Sequence, residues 1–275
     1  TDIYFAFSKK NFLTEKNNSS YIKNHIVTGY PGDYRFKYLK NYSKGLRKQL
    51  KEAGAEFILT FFDENSSQDR RYTLHDDHFA SQYTFLLEKI LEDKTLGIIF
   101  KPKKPQYIMQ KLNNNLVKDA LNTKRCIFLL SDTNHIPPAM AAMASDLAVH
   151  EMLFASTAAI ESALSNTPTL ILDKENWVYS ELNKLGLGKV IFPSISEMWP
   201  HLNNIKHNLP ENLKIWDPYL HSIDPYRDGK ANSRISEYLN DLILGFERKL
   251  NSDDNLYLAN KNFISKWGQD KISHM

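Results

Sequence analysis

The sequence predicts an α/β fold built on a parallel sheet, and three observations predict it. From residue 56 onward, short apolar runs alternate with segments of helical period, the pattern of strands joined by crossover helices. The composition, 42% hydrophobic and 24% charged over 275 residues, supports a full core and excludes a disordered tail, a collagen-like repeat or a coiled-coil rod. No self-similarity at a period of roughly 20–50 residues is visible, which excludes a solenoid.

Six runs qualify as strands: 56–62, 96–101, 126–130, 147–152, 169–172 and 189–192. Between the first two, Phe79, Tyr83, Leu86, Leu87, Ile90 and Leu91 recur at spacings of three and four, drawing one apolar stripe down a helix. Further helices fit 138–144, 157–164, 180–185, 197–205 and 233–250, with Pro168 and Asp173 bounding the strand 169–172. Right-handed crossovers then place helices on both faces of a mainly parallel six-stranded sheet, a Rossmann-like domain over 46–250. Residues 1–45 read as a less regular lead-in: a strand-like 3–7, a polar loop, the passage 26–31 and the start of a helix over 33–50. Residues 251–275 read as a C-terminal helix and tail, with Tyr257, Leu258, Phe263, Ile264 and Trp267 marking an amphipathic face. The start at Thr1, inside a strand-like run, leads us to expect a piece of a longer chain.

Several function classes fall away. The 35 Lys and Arg against 32 Asp and Glu leave a charge of +3, spread without a basic run of five, which argues against non-specific nucleic-acid binding. One cysteine, Cys126, sits in an apolar run; it forbids an intramolecular disulfide, reads as a buried structural thiol and points to a reducing cytoplasm. No apolar run reaches the roughly 18 residues of a spanning helix. There is no Walker loop, Gly-x-Ser-x-Gly, His-Glu-x-x-His or paired cysteine, and with 10 glycines no Gly-x-Gly-x-x-Gly, so no resident cofactor or metal is expected. His75-Asp76-Asp77-His78 adjoins the start of the striped helix, where Asp76 or Asp77 can cap it, and reads as a helix start rather than a metal site.

The stretch best suited to chemistry runs from 145 to 173. A strand ends near residue 152, a tight connection presents Ser156 and Thr157, and a helix of small residues begins. Free backbone N–H groups, hydroxyl donors and a positive dipole end are what an anion needs; the alternative for Ser156 is a plain N-cap. Glu161, one turn into that helix, can accept from ribose hydroxyls or stand as an exposed helix acid. His150 and Glu151 at the preceding strand's C-terminal end are placed to touch a ligand, His150 as a base or nucleotide contact, or as a buried, satisfied histidine. Lys101 and Lys103 follow another strand and can neutralise a diphosphate or stay solvated. Tyr72, Tyr107, Trp177, Tyr179, Trp199, Trp216 and Tyr219 offer stacking faces, with no basis for choosing among them.

These passages resemble a family. Asp146-Leu147-Ala148-Val149-His150, Ser156-Thr157-Ala158-Ala159-Ile160-Glu161 and Pro168-Thr169-Leu170-Ile171-Leu172-Asp173 are similar to the donor-binding C-terminal domain of glycosyltransferases with the GT-B fold. The nearest look is to bacterial surface-polysaccharide enzymes of the CDP-glycerol glycerophosphotransferase and capsule Kdo-transferase groups. Val27-Thr28-Gly29-Tyr30-Pro31-Gly32-Asp33-Tyr34 resembles their "TG-x-P-x-D" passage, and Asp224-Pro225-Tyr226-Arg227-Asp228-Gly229-Lys230-Ala231 with Arg234 and Ile235 their "DPFRDGKA-x-x-RI" ending. Phe100-Lys101-Pro102-Lys103-Lys104-Pro105 stands where many relatives have Lys-Pro-His-Pro, with Lys103 in the histidine's place.

The resemblance implies transfer of a sugar or glycerol-phosphate-like group from a CMP-, CDP- or UDP-linked donor to a glycan acceptor. It puts the donor phosphate on Ser156 and Thr157 and the ribose on Glu161, without a metal; the place of the strand ends adds Lys101 and Lys103 to the phosphate, Glu151 to the nucleotide and His150 as the catalytic residue. It also implies an upstream N-terminal domain outside this chain, without which the chain binds donor but does not turn over, and a cytoplasmic home at the inner membrane face. The alternatives are a nucleotide-sugar epimerase of the same architecture, for which His150, Asp63 and Glu64 are the available acid and base groups, and a non-catalytic Rossmann-like interaction module.

Overall fold

The computed structural model describes residues 2–10, 22–64, 76–130, 136–154 and 156–274. In chain order the elements are β1 (Ile3–Ala6), β2 (Asn24–Val27), α1 (Phe36–Glu52), β3 (Phe57–Phe62), α2 (Asp76–Glu92), β4 (Leu96–Lys101), α3 (Pro105–Lys111), α4 (Asn114–Asn122), β5 (Cys126–Phe128), α5 (Pro138–Ala142), β6 (Leu147–His150), α6 (Thr157–Leu164), β7 (Thr169–Leu172), β8 (Ile191–Phe192), α7 (Ile195–Met198), α8 (Leu202–His207), α9 (Leu209–Ile223), α10 (Ala231–Glu247), α11 (Ser252–Trp267) and β9 (Ile272–His274). They divide into two compact units, Tyr38–Asp217 and Thr1–Lys37 with Pro218–Met275.

The larger unit holds the expected six-stranded sheet, in the order β5-β4-β3-β6-β7-β8 and parallel throughout. Its first strand, β3, lies in the middle; the next two strands step outward on one side and the last three on the other, which is the 3-2-1-4-5-6 order of a doubly wound fold. Both faces are covered, so the strands read as continuous apolar runs, and side-chain parity sorts them. Leu59, Phe61, Ile98, Phe100, Leu147 and Val149 enter the core with the α2 stripe of Phe79, Tyr83, Leu86, Leu87 and Ile90. Ile58, Phe62, Ile99 and Ala148 enter the other, where Ala141, Ala142 and Ala144 let α5 approach closely. Buried Thr60 belongs to that second face; its hydroxyl donates to Ala141 O at 3.0 Å. Cys126 is a buried thiol that burial pushes up to about 12, as its apolar run suggests.

Helix α9 is invisible to a reading of sequence breakers because Pro210 and Pro218 punctuate it. Pro210 occupies the first turn, where no intrahelical N–H is needed. Tertiary contacts hold the helix regardless: Asn212 Oδ1 accepts from Thr169 N at 2.7 Å and fully buried Trp216 donates from Nε1 to Thr169 O at 2.9 Å. Two residues one turn apart thereby clasp the first residue of β7. Among the described residues, no helix is long and apolar enough to cross a membrane.

In the smaller unit β1 runs parallel to β2, and β9 antiparallel to it. The amphipathic C-terminal segment is α11, and most of its apolar face is covered: Ala259 and Phe263 pack with Tyr238 of α10 and with Ile26 and Ile272 of the small sheet, while Tyr257 stays exposed. The helix stops at Gly268, which takes φ +104°. Two motifs about two hundred residues apart in sequence also meet here. Arg234 Nη1 donates to Thr28 O at 3.1 Å and to Asp228 Oδ1 at 3.0 Å, and Gly229 N donates to Asp33 Oδ2 at 2.8 Å. Gly29 sits at φ +90°, and a Cβ there would lie 2.8 Å from Asp224 Oδ1, so only glycine fits both the backbone and the close approach. The two passages that carry the family resemblance at its ends are therefore a structural clasp.

Candidate functional site

In a doubly wound sheet the crossovers diverge where the strand order reverses, and the crevice opens at the C-terminal ends of the two strands there. In this chain those strands are β3 and β6. Asp63 and Glu64 follow β3, and His150 closes β6 with Glu151 after it. Lys101 closes neighbouring β4 with Lys103 two residues on, and Lys174 follows β7. Ser156 and Thr157 open α6 after β6. The fold thus brings His150, Glu151, Lys101, Lys103, Ser156 and Thr157 to one edge of one sheet.

At the start of α6 the backbone turns through Ser156, at φ −80° and ψ 31°, and no side chain caps the helix. The Ser156 hydroxyl, buried with its residue, donates backward to Leu153 O at 3.0 Å. The side-chain N-cap that the sequence allowed is therefore not made, and the first-turn amides point out of a helix end lined by exposed Thr157 and small alanines. Glu161 is turned to a neighbour: its Oε1 accepts from Ala139 N at 3.0 Å, in the first turn of α5. A carboxylate suits that place, since it meets the positive end of the α5 dipole.

The charged residues on the β3 and β4 side are mutually engaged. Asp63 Oδ1 accepts from Lys103 N at 2.5 Å, and the Lys103 ammonium pairs with Glu64. Burial pulls the Lys101 ammonium down from its ordinary range while Asp63 draws it back. Burial, followed by the charge of Asp63, pushes the Tyr83 phenol well up. Across the crevice, Glu151 is 1% exposed and its Oε1 lies 2.6 Å from His78 Nε2. Burial, followed by the charge of Asp63, pushes the Glu151 carboxyl well above the ordinary carboxylate range. Lys174 Nζ lies 3.2 Å from His78 Nδ1. The imidazole of His150, also buried, meets the Met152 backbone through Nδ1, at 3.0 Å from O and 3.2 Å from N, and Nε2 has no partner among the described residues.

His78 is the residue that sequence reasoning passed over. It belongs to the His75–His78 cluster, which reads locally as a helix start; only the packing of α2 against β6 shows that its ring faces Glu151. His75 lies outside the described residues, and Asp77 is exposed with Lys111 Nζ 3.6 Å away. Among the described residues no group of three or more His, Cys, Asp or Glu side chains is placed to hold a metal ion. The aromatic choice that sequence left open is narrowed as well. Trp216 is core and Trp199 packs on Phe85, whereas Trp177 lies between Phe154 and Tyr179 at centroid distances of 4.9 and 5.9 Å. All three are exposed, on the connections that follow β6 and β7. Tyr72 lies outside the described residues.

Two of these histidines make stability depend on pH. Burial, the largest cause for each, lowers His78 and His150 to about 4, with Lys174 adding to the effect on His78. Unfolded histidines take up protons near pH 6.5, so between those values the unfolded chain binds more protons and stability rises with pH. The raised Glu151 carboxyl acts with the opposite sign but is one group against two, so we expect the urea midpoint to fall from pH 7 toward pH 4. His150→Asn, which keeps a hydrogen-bonding atom near the Nδ1 position, should flatten that slope; an unchanged slope would place the sensitivity elsewhere.

No family model and no curated protein sequence matches the chain. Among solved structures it is similar to that of S. aureus MnaA in complex with UDP, with a TM-score of 0.54 and 16% identity over 88% of this chain and 61% of the other. The chain thus spans less than two thirds of that protein's length. At such identity the likeness is one of fold: the chain has the Rossmann-like α/β architecture that its alternation of strands and helices predicts.

Proposed function

We propose that this chain is the donor-binding part of an enzyme acting on nucleotide-activated sugars, with the diphosphate held at the start of α6. The observation that carries the reading is that helix end: its amides lack a side-chain cap, and it opens at the strand-order reversal where doubly wound folds bind ligands. Thr157 and the backbone at Ser156 would receive phosphate oxygens, with Lys101 alongside. Lys103 joins them only by leaving Glu64. Glu161 would offer ribose an acceptor, and the exposed Phe154, Trp177 and Tyr179 would give base or sugar a face to rest on. MnaA, bound to UDP in its structure, lends the nucleotide part support.

The specific activity we propose is transfer of a sugar or glycerol-phosphate-like group to a glycan of the bacterial surface, at the inner face of the membrane and with an upstream domain supplying the acceptor side. Catalysis would rest on the helix end and lysines stabilising charge on the departing phosphate. A second reading, an epimerase, is favoured by one observation: Glu151, His78, His150 and Asp63 give the crevice more proton-bearing groups than phosphate departure alone requires.

Thermal stability against CMP, CDP, UDP, GDP and ADP tests the common part. A nucleotide at 100 times its Kd should add about 2.7 kcal/mol to the folded state, and the base that does so names the donor class. A flat response at millimolar nucleotide overturns the reading for this chain. Solvent deuterium entering the sugar carbon skeleton of a responding nucleotide sugar in D2O would decide for the epimerase.

A further inference from the structure

We infer that Lys174, His78 and Glu151 couple the binding of a diphosphate at the exposed side of the crevice to the protonation of His78. The inference rests on the diphosphate reading above and adds residues to it. Lys174 is exposed, and its ammonium donates to His78 Nδ1 at 3.2 Å. That contact fixes the ring: Nδ1 keeps its lone pair and Nε2 carries the hydrogen, 2.6 Å from Glu151 Oε1. Glu151 is buried, and neither of its oxygens has a hydrogen-bond partner among the described residues, so Nε2 approaches Oε1 as a close contact without hydrogen-bond geometry. A row of three groups therefore runs from solvent to a closed interior, with the imidazole as the only member that can exchange a proton at both ends.

An ammonium bonds a diphosphate oxygen more strongly than it bonds a neutral imidazole. When a diphosphate draws Lys174 away, the N–H···N contact at Nδ1 breaks and its lone pair becomes free. A proton from solvent occupies it, giving an imidazolium whose Nε2–H faces Glu151 and whose Nδ1–H points toward the anion. Uptake is greatest between the free and bound midpoints of His78, and no bond to carbon changes. The groups that bear on the ring come from every neighbouring element. Lys174, after β7, opposes the cation; Glu151, after β6, whose carboxyl burial and Asp63 push well above the ordinary range, faces the ring as a neutral acid, and Lys103, after β4, is paired with Glu64. His150, which burial also lowers to about 4, titrates over the same range, whereas Tyr83, further along α2, stays neutral. Burial and then Lys174 hold free His78 at about 4, so losing Lys174 relieves the second cause and leaves the first.

The test follows the ring nitrogens of His78 in the 15N-labelled full chain by long-range proton–nitrogen correlation across pH, with His78→Gln supplying the assignment. Lys174→Met changes an exposed side chain and leaves the core alone. We expect it to raise the His78 midpoint by about one unit, and pyrophosphate or UDP added to the unsubstituted protein to raise it likewise. An unmoved midpoint in Lys174→Met overturns the inference. If UDP shifts the amide signals of Thr157 and Ala158 while the His78 midpoint stays, the coupling is wrong and the anion site stands. If neither pyrophosphate nor UDP shifts any signal, the anion site falls and the inference with it.

Discussion

Thr157→Glu should keep the protein folded and weaken its binding of a nucleoside diphosphate by about tenfold or more. The two effects separate because one helix end answers for both. An acidic side chain in the first turn of α6 meets the positive end of the dipole, which stabilises a helix by about 0.3–1 kcal/mol. Thr157 is exposed, so the longer side chain meets no packed neighbour. The same carboxylate stands where we place the phosphate, and like charges brought together in a binding site oppose it by several kcal/mol. Each 1.4 kcal/mol is a factor of ten in Kd. Titration calorimetry with the responding nucleotide, beside a thermal melt of the same preparation, gives both numbers. Undiminished affinity in a folded Thr157→Glu protein would remove the phosphate from α6. Thr157→Ala, which leaves the backbone amides in place, should lose only the hydroxyl's share, about 1 kcal/mol.

Arg234→Ala should destabilise the smaller unit by about 3 kcal/mol, the low end of the loss on breaking a buried ion pair, because the Asp228 carboxylate left behind is one third exposed. The guanidinium is 1% exposed, Nη2 lies 2.5 Å from Asp228 Oδ2, and Cζ stands 3.5 Å from the Tyr226 ring centroid and 4.4 Å from that of Trp267. Its removal leaves Thr28 O and Asp228 Oδ2 without their donor, while Lys230 N still bonds Asp228 Oδ1, and opens space between two rings. Arg234→Lys keeps the charge but not the planar fork, and should fall between the two. Urea unfolding followed by tryptophan fluorescence reports it, since Trp267 belongs to this unit. The pair also carries a pH sign. Burial acts to raise the Asp228 carboxyl, but the bonds from Arg234 prevail and hold it below the ordinary carboxylate range. Its contribution is therefore present above the unfolded value near 3.9 and lost as pH falls through the lower folded one. A fully folded, equally stable Arg234→Ala would mean that the clasp between the two motifs is incidental.

These two residues differ in how far sequence reached them. The α6 helix end was legible because its ingredients are local: small residues, hydroxyls and the end of an apolar run lie within a few positions. Its capping was not, since Ser156 could turn forward to the helix or back to Leu153, and only the path of the connection decides between them. Arg234 stood out through a resemblance, yet its role depends on Thr28, about two hundred residues away in sequence.

What the sequence alone determined is the sheet. Strands buried on both faces must be continuously apolar and crossover helices must show a stripe, so periodicity exposes β3 to β8 and α2, and handedness leaves little choice of topology. It also determined which loops meet at one edge. Tertiary structure decided which side chains those loops bring together: His78 against Glu151, Glu161 against the start of α5, Lys103 against Glu64. It decided as well that α9 forms through two prolines, because Thr169 is there to be bonded. The physical reason is common to all of these. Backbone periodicity and apolar burial are properties of neighbouring residues, whereas a buried polar group is satisfied by whatever partner the packing delivers, and that partner carries no mark in the local sequence.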